Sequence, residues 1–222
     1  MKSIYLTCIY LVFLSTSIFA QETKVGIKGG LNLSEVNGDF TESHESRIGY
    51  HFGGYADIPL TNRFSFNPEL LYSSIGYAFE NRLILFDLPQ SQNVFPKLVR
   101  RLNYLTIPLI LRFEFNKKFG LDFGPQIGFL LNSVSKLKKS TNIDQSFDKM
   151  TSSGDFRFDS GAIIGMNYKI NHKLGVQVRY IHGWTNLDTG GLSDNNKQFN
   201  RVFQLSFGYA LFKISYDSAL LN

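Results

Sequence analysis

Six charged side chains lie within largely apolar stretches of this 222-residue chain, and they are the residues best suited to chemistry. They are Glu69, Arg112, Glu114, Asp122, Asp159 and Arg179. Carboxylates and guanidinium groups enclosed in one small space form ion pairs, because an unpaired charge away from water is very costly. The six residues therefore predict a salt-bridged network that closes an interior space. A conducting path or a proton relay is the alternative use of such enclosed charges.

Support for catalytic or metal chemistry is weaker. Of the four histidines, only His44 has a serine close by in the sequence, Ser46, and both lie in a polar segment. Nucleophilic catalysis needs a base and an orienting group within hydrogen-bond reach, and a polar segment of this kind is more typical of a solvated loop. The spacing of zinc ligands does not occur, and the single cysteine is Cys8. We therefore expect no catalytic residue, no metal site and no cofactor.

A two-residue repeat surrounds the charges. In NYLTIPLILRFEF, residues 103–115, apolar side chains occupy every odd position from Leu105 to Phe115, while Arg112 and Glu114 occupy even positions. Successive side chains of a β-strand point to opposite faces, so this segment predicts a strand with one apolar face and one face that tolerates charge. The repeat recurs along the chain and predicts eight strands in all. They span 24–34, 47–60, 63–72, 104–115, 121–132, 156–170, 173–184 and 203–211.

The connections between these strands alternate in length. Three are tight turns that contain asparagine, which accepts the backbone geometry of short hairpins. Four are long and polar. The tight turns are at Thr61-Asn62, Asn116-Lys117 and Asn171-His172, and the long connections are at about 36–46, 80–99, 138–155 and 187–199. Short turns at one rim, long loops at the other and an even strand number are typical of bacterial outer-membrane barrels.

The predicted fold is therefore an all-β, eight-stranded antiparallel up-and-down transmembrane β-barrel with short periplasmic turns and long extracellular loops. A soluble eight-stranded ligand carrier would show the same repeat with its apolar face inside. The non-apolar face of this chain is rich in glycine, which suits a crowded, narrow interior better than a water-facing exterior. We therefore expect the apolar positions to face lipid and the six charges to face the lumen.

Aromatic residues near the strand ends predict two girdles at the membrane interfaces. The candidates are Phe64, Phe115, Phe119 and Tyr168 beside the tight turns, and Tyr72 and Trp184 toward the long loops. Three prolines, Pro68, Pro108 and Pro125, interrupt strand patterns. Because proline lacks the N–H that a strand ladder requires, each of them predicts a β-bulge.

The amino-terminal segment predicts export. Residues 1–20 carry one positive charge, an apolar run and a small-residue end, which is the layout of a cleaved signal peptide. The mature chain, 21–222, is then one barrel domain with no cysteine and no apolar run of about 18 residues that could form a transmembrane helix. Without Lys2 it carries 22 basic and 18 acidic residues, an excess too small and too scattered for a nucleic-acid-binding protein.

Four strings of the sequence resemble the PorT-type outer-membrane β-barrel family. They are GYHFGGYADIPLTNRFSFNPELLYS (49–73), YLTIPLILRFEF (104–115), FGPQIGFLLNS (123–133) and NRVFQLSFGYALF (200–212). The resemblance implies an eight-stranded outer-membrane barrel, and it implies a link to protein secretion, with which the named member of the family is associated. The chain departs from the pattern by continuing past Phe212, the expected terminal aromatic residue.

The expected function is that of an integral outer-membrane protein of a Gram-negative cell envelope. Its barrel is a closed anchor, and its loops serve structural or binding roles. An accessory role in protein secretion and a narrow porin-like channel are the alternatives. The expected partners are outer-membrane lipid and an envelope or secretion-system protein, with no nucleic acid and with the barrel as a monomer. The partner contact is expected in the longest loop, at Leu83, Leu85, Phe86 and Phe95.

Overall fold

The computed structural model describes residues 22–38, 44–80, 97–138, 150–153, 157–186 and 198–214. These residues form nine β-strands. The strands are β1 (Thr23–Gly38), β2 (His44–Pro59), β3 (Phe64–Glu80), β4 (Lys97–Glu114), β5 (Phe119–Lys138), β6 (Met150–Ser153), β7 (Phe158–Lys169), β8 (Leu174–Gly183) and β9 (Gln198–Ile214). Within these ranges there is no helix with the length and apolar character to cross a membrane. The expected signal peptide and the expected partner-contact residues lie outside the described residues.

The strands close into a ring in which every neighbouring pair is antiparallel. The first and last strands, β1 and β9, pair along their lengths and join the two ends of the sheet. Strand β5 pairs with β7 over Phe119–Phe129 and with the short β6 over Asn132–Ser135, so β6 and β7 share one place in the ring. The ring therefore has eight places, and each of the eight predicted stretches lies in one of them. The predicted up-and-down barrel is confirmed.

Burial alternates along the strands and shows which face is outside. On β9, Gln204 and Ser206 are buried, whereas Phe203, Leu205 and Phe207 are 54%, 40% and 53% exposed. The same alternation holds on β8, where Val178 is 54% exposed and its neighbour Arg179 is 1% exposed. Apolar side chains therefore form the outer surface, and polar and charged side chains face the lumen. This arrangement excludes the soluble carrier, whose apolar face would line the interior.

Several strands extend further toward the long loops than the repeat predicts. Strand β3 continues to Glu80, and all residues from 73 to 78 are buried, so apolar and polar positions no longer alternate there. Tyr72, expected near the loop end, consequently lies in the middle of β3. Gly76 has φ of +150°, a conformation that glycine favours, and a Cβ on it would lie 2.0 Å from the carbonyl oxygen of Arg100 on β4.

The predicted bulges at the three prolines are wrong. The strand register is the same on both sides of Pro68, Pro108 and Pro125. Proline removes one donor from the ladder, but pairs on either side hold the strands in step, so no extra residue has to be inserted. Bulges occur instead between Val25 and Gly26, between Ser46 and Tyr50, and between Asn103 and Tyr104.

Four aromatic side chains lie at the rim formed by the tight turns. Phe64, Phe115, Phe119 and Tyr168 are between 36% and 56% exposed. Their rings contact neighbouring aromatic rings, as in the pair Phe119 and Tyr168, whose centroids are 4.7 Å apart. At the opposite rim, Trp184 follows β8 and is 56% exposed, whereas the ring of Tyr72 packs at mid-strand against Phe52 with centroids 5.3 Å apart. The turn rim thus carries aromatic side chains along the four neighbouring strands β3, β4, β5 and β7.

The lumen is filled by two layers of side chains. A polar and charged layer lies toward the tight turns. On its loop side, eight buried apolar or aromatic residues pack together across the bore. They are Ile75, Leu102, Tyr104, Ile110, Leu130, Ile163, Ile181 and Val202. The interior is therefore packed side chains over much of its height, as expected for a ring of eight strands.

Glycine at inward positions lets neighbouring strands and long side chains approach closely, and adjacent residues of β2 allow a matched test. A Cβ on the inward residue Gly53 would lie 2.0 Å from the carbonyl oxygen of Leu70, whereas a Cβ on Gly54 would meet only the carbonyl oxygen of Gly26 at 3.7 Å. We expect Gly53→Ala to lower the free energy of unfolding by about 1–3 kcal/mol through overpacking. Gly54→Ala should leave it nearly unchanged.

Urea unfolding of both variants in lipid vesicles, followed by tryptophan fluorescence, measures the difference. Equal stability of the two variants would contradict the close approach of β2 and β3 at Gly53.

Candidate functional site

Five charged side chains meet in the lumen and form one connected network. They come from five different strands, namely Lys28 (β1), Glu69 (β3), Arg112 (β4), Asp122 (β5) and Arg179 (β8). Each side chain is at most 5% exposed. The network joins strands that are distant in sequence, since Glu69 and Arg179 are 110 residues apart. It is therefore a product of ring closure and not of any one hairpin.

Arg179 is the centre of the network. Its Nη1 donates to Glu69 Oε2 at 2.9 Å and its Nη2 donates to Glu69 Oε1 at 2.8 Å, which is the paired geometry that guanidinium and carboxylate groups favour. The same guanidinium donates to Asp122 Oδ2 from Nη2 at 2.9 Å and from Nε at 3.3 Å. Strands β3 and β8 are four places apart in a ring of eight. The Arg179–Glu69 contact therefore spans the bore.

Two further contacts complete the charge pairing. Arg112 donates to both oxygens of Asp122, from Nε at 2.7 Å and from Nη2 at 3.0 Å. Lys28 Nζ donates to Glu69 Oε1 at 2.5 Å. Both carboxylates thus accept hydrogen bonds from two cations each, and the group contains three cations and two anions. Full pairing of this kind is what permits charge to remain in so confined a space.

The structure brings together four of the six charged residues that the sequence singles out and places the other two elsewhere. Glu69, Arg112, Asp122 and Arg179 belong to the network. Glu114 pairs with Lys169 near the tight turns. Asp159 lies toward the long loops, where Asn200 Nδ2 donates to its Oδ2 at 2.8 Å. All six side chains lie on the lumenal side of the wall, but at three different heights.

The local sequence explains how long side chains fit into the bore. Lys28 has glycine two residues away on either side, at Gly26 and Gly30, and Asp122 likewise lies between Gly120 and Gly124. A Cβ on Gly165 of β7 would lie 2.6 Å from Cγ of Arg179. Missing side chains at inward positions thus provide the volume that the network occupies. Lys28 is the member that the sequence analysis missed, and its glycine neighbours are the signal that could have found it.

A second polar cluster lies beside the network and involves His51. Its Nε2 is 2.9 Å from Ser206 Oγ and its Nδ1 is 2.9 Å from Asn32 Oδ1. Because an amide oxygen only accepts, Nδ1 carries the proton and donates to Asn32, and Ser206 donates to Nε2. This order of hydroxyl, imidazole and amide matches that of a nucleophile, a base and an orienting group. Sequence patterns do not reveal it, because the serine lies 155 residues from the histidine.

The His51 cluster is nevertheless enclosed. Ser206 and Asn32 are 0% exposed and His51 is 2% exposed. A Cβ on Gly30 would already lie 2.9 Å from His51 Cε1, which leaves no space for a substrate carbonyl beside the hydroxyl. Asn32 is held further by donating from Nδ2 to Ser73 Oγ at 3.0 Å. The arrangement therefore acts as a hydrogen-bonded support for the strands around it.

In the part of the chain that the structure describes, no group of three or more histidine, cysteine, aspartate or glutamate side chains is arranged to hold a metal ion. The two carboxylates of the network already accept from arginine and lysine, so they offer no vacant ligand set for a divalent cation. Direct ion pairing is thus the chemistry that this site supports.

Comparison with known proteins gives one family and a set of similar folds. The family model described as outer membrane protein beta-barrel domain matches residues 19–189. Ail, the attachment invasion locus protein of Yersinia pestis, has a TM-score of 0.49 at 13% identity, and the match covers 86% of this chain and 100% of Ail. Neisserial surface protein A has a TM-score of 0.48 at 11% identity, with 86% and 99% covered.

The outer membrane protease OmpT from Escherichia coli has a TM-score of 0.40 at 8% identity, and the match covers 86% of this chain and 96% of OmpT. Among curated proteins, nothing matches the chain.

Removing one carboxylate from the network tests how strongly the charges depend on each other. Glu69→Leu leaves Lys28 and part of Arg179 without their acceptor, so we expect it to lower the free energy of unfolding by about 3–5 kcal/mol. The double variant Lys28→Met/Glu69→Leu removes the stranded ammonium as well and should recover part of this loss. Urea titration in vesicles measures all three proteins.

The matched control is the exposed pair of Lys213 and Glu22, whose side chains are both 54% exposed. Lys213→Gln should leave the unfolding midpoint unchanged, since exposed ion pairs contribute little. If the double variant were no more stable than Glu69→Leu, Lys28 and Glu69 would not be energetically coupled.

Proposed function

Because the chain belongs to the outer membrane protein β-barrel domain family, we propose that it is a closed outer-membrane anchor that presents its long loops for structural or binding roles. The observation that carries this proposal is the contact of Arg179 with Glu69 on the opposite side of the ring. A guanidinium that bridges the full bore, and is itself 1% exposed, occupies the path that a solute would take.

The packing on the loop side of the network supports the same conclusion. Ile163 and Ile181 pair in register directly beside the pair of Gly165 and Arg179, and both isoleucines are buried. They belong to the apolar layer that fills the bore. An ion crossing the lumen would have to displace a paired charge layer and then pass an apolar layer, and each step is unfavourable.

The outer surface fits the anchoring role. Apolar side chains such as Ile48, Ile164 and Phe203 are 71%, 56% and 54% exposed, which is costly in water and favourable against acyl chains. The export signal at 1–20 belongs to the same proposal, since the chain must leave the cytoplasm before it can enter the outer membrane. The proposed unit is one barrel in lipid.

A role in protein secretion is the second candidate, and the resemblance of residues 49–73 and 104–115 to the PorT-type family favours it. A closed barrel would serve such a role through its loops, because the lumen leaves no route for a polypeptide. Deleting the gene and measuring the proteins in the culture medium tests the idea. Loss of specific secreted proteins, restored by the intact gene, is the expected result if the chain is a secretion accessory. Unchanged secretion removes this candidate.

Conductance in planar lipid bilayers tests the closed lumen directly. We expect the purified protein to show no stable single-channel steps, because Arg179 and the apolar layer fill the bore. Glu69→Ala/Arg179→Ala removes one carboxylate and one guanidinium together, keeps the net charge and shortens both side chains that span the bore. Combined with Ile163→Ala/Ile181→Ala, which shortens two side chains of the apolar layer, it should admit ions and produce measurable steps.

The control for that experiment uses the neighbouring positions on the opposite face of the same strands. Leu70 and Val178 are 53% and 54% exposed, so Leu70→Ala/Val178→Ala shortens side chains outside the lumen. It should remain as silent as the parent protein. Large, stable steps from the parent protein would refute the closed barrel and favour the porin-like alternative.

We also propose that the chain is not a hydrolase, and the cluster of Ser206, His51 and Asn32 gives this claim a specific test. A fluorophosphonate probe labels activated serine hydroxyls that solvent can reach. Because Ser206 is 0% exposed, the folded protein in maltoside detergent should remain unlabelled. Labelling that disappears in Ser206→Ala would contradict this and indicate catalysis.

A further inference from the structure

A cavity of about 590 Å³ opens at the rim formed by the tight turns, on the turn side of the ion network. Six of its lining side chains are cationic and two are anionic. Two of the cations have partners, since Lys169 pairs with Glu114 and Arg112 pairs with Asp122. The remaining four, Lys24, Lys117, Lys118 and Lys173, face a single further carboxylate, that of Asp57. The cavity therefore carries an excess of positive charge.

One buried amide donor also lines this cavity. Asn167 on β7 is 3% exposed, and its Nδ2 has no hydrogen-bond partner among the described residues. The amide lies over Gly120 of β5, where a Cβ would be only 2.5 Å from Nδ2. Its register neighbour Gln177 on β8 also has an unpartnered side-chain atom, Oε1, but that atom is an acceptor and Gln177 does not line the cavity.

Close packing of the strands does not require glycine at the positions that line this cavity. Gly175 and Gly208 line the cavity on β8 and β9, and a Cβ on either would have its nearest neighbour at 3.5 Å, an ordinary contact. Inward glycines beside the network differ, because a Cβ on Gly30 would lie 1.9 Å from the carbonyl oxygen of Leu205. Packing would thus accept side chains at Gly175 and Gly208, and their absence keeps the cavity open.

We propose that this cavity is a binding site for a multivalent, phosphate-bearing anion at the periplasmic rim. An excess of lysine over carboxylate attracts anions, and each ammonium group offers three rotatable donors that suit phosphate oxygens. The amide of Asn167 supplies a fixed donor at the inner end of the site. A ligand with a single carboxylate would neutralise only part of the positive charge of the lysines.

Two sources carry this chemistry. The aromatic side chains of Phe64, Phe115, Phe119 and Tyr168 lie along the turn rim, and aromatic side chains at a barrel rim lie at the depth of the phospholipid headgroups. Phosphate of an inner-leaflet headgroup is the first source. A soluble phosphate ester or polyphosphate in the periplasm is the second.

Titration with pyrophosphate by isothermal calorimetry tests the site in the purified, folded barrel in maltoside detergent, which carries no phosphate. We expect binding of one pyrophosphate per barrel at low salt. The triple variant Lys117→Gln/Lys118→Gln/Lys173→Gln should weaken it about tenfold or more, as the loss of three exposed charge contacts implies. Gly175→Leu keeps every charge, fills the cavity and should weaken binding to a similar degree.

A second triple variant controls for net charge. Arg63→Gln/Lys136→Gln/Lys213→Gln also removes three cations, but none of these residues lines the cavity. It should change the affinity by less than about twofold. Absence of binding by the parent protein, or equal weakening by the two triple variants, would overturn the proposal. Heat-modifiable mobility on gels confirms that each variant is folded, and the lysine variant alone suffices if Gly175→Leu does not fold.

Nanodiscs distinguish the two sources. The same titration is repeated with the barrel in phosphatidylglycerol and in a neutral glycolipid without phosphate. Weaker pyrophosphate binding in phosphatidylglycerol, restored in the glycolipid and absent in the lysine variant, assigns the site to a lipid headgroup. Equal binding in both discs assigns it to a soluble phosphate compound.

Discussion

One guanidinium that reaches across the ring is the contact on which the rest of this barrel depends. Arg179 on β8 holds Glu69 on β3, four places away, and also holds Asp122 on β5. A ring of eight strands leaves a narrow bore that water fills poorly, so each inward side chain must be small, apolar or paired. The network meets this demand at one height and the apolar layer meets it above. The barrel is thereby a filled cylinder whose accessible surfaces are its wall and its two rims.

The narrow bore also explains why glycine occupies many inward positions. Lys28 and His51 each have glycine two residues away on either side, and both side chains reach inward to partners on other strands. Where a large polar side chain crosses the bore, the inward positions above and below it lose their side chains. Gly175 and Gly208 at the turn rim break this relation, because a Cβ on either would have its nearest neighbour only at 3.5 Å. The lumen is thus asymmetric, packed in the middle and open at the end that carries the tight turns.

The fold was predictable from the sequence because alternation of apolar and polar residues fixes both the strands and their outer face. The ends of the strands were not, since residues 73 to 78 are buried on both faces and lose the repeat. The two-residue repeat also predicted that Glu69, Arg112, Asp122 and Arg179 face the lumen. It gives no information on how far each residue lies along the barrel axis. It therefore could not show that Glu114 and Asp159 lie apart from the other four. The contact between the Ser206 hydroxyl and His51 could not be predicted from the sequence, because it depends on the register in which β1 pairs with β2 and with β9.

Filling by paired charge has a consequence for how such a protein works. Because the network joins five strands, one strand cannot move away without leaving a charge unpaired. We therefore expect the barrel to behave as a rigid unit with function at its rims. The most direct test is the separation of the Arg179 guanidinium from the two carboxylates in lipid bilayers, measured by solid-state nuclear magnetic resonance with ¹⁵N-arginine and ¹³C-labelled carboxylates. We expect ¹⁵N–¹³C couplings from the Arg179 guanidinium to the carboxyl carbons of both Glu69 and Asp122, as its hydrogen bonds of 2.8 Å and 2.9 Å to their oxygens require, and no guanidinium coupling to Glu69 in Arg179→Lys. Absence of a coupling between Arg179 and Glu69 in the parent protein would contradict this contact across the bore.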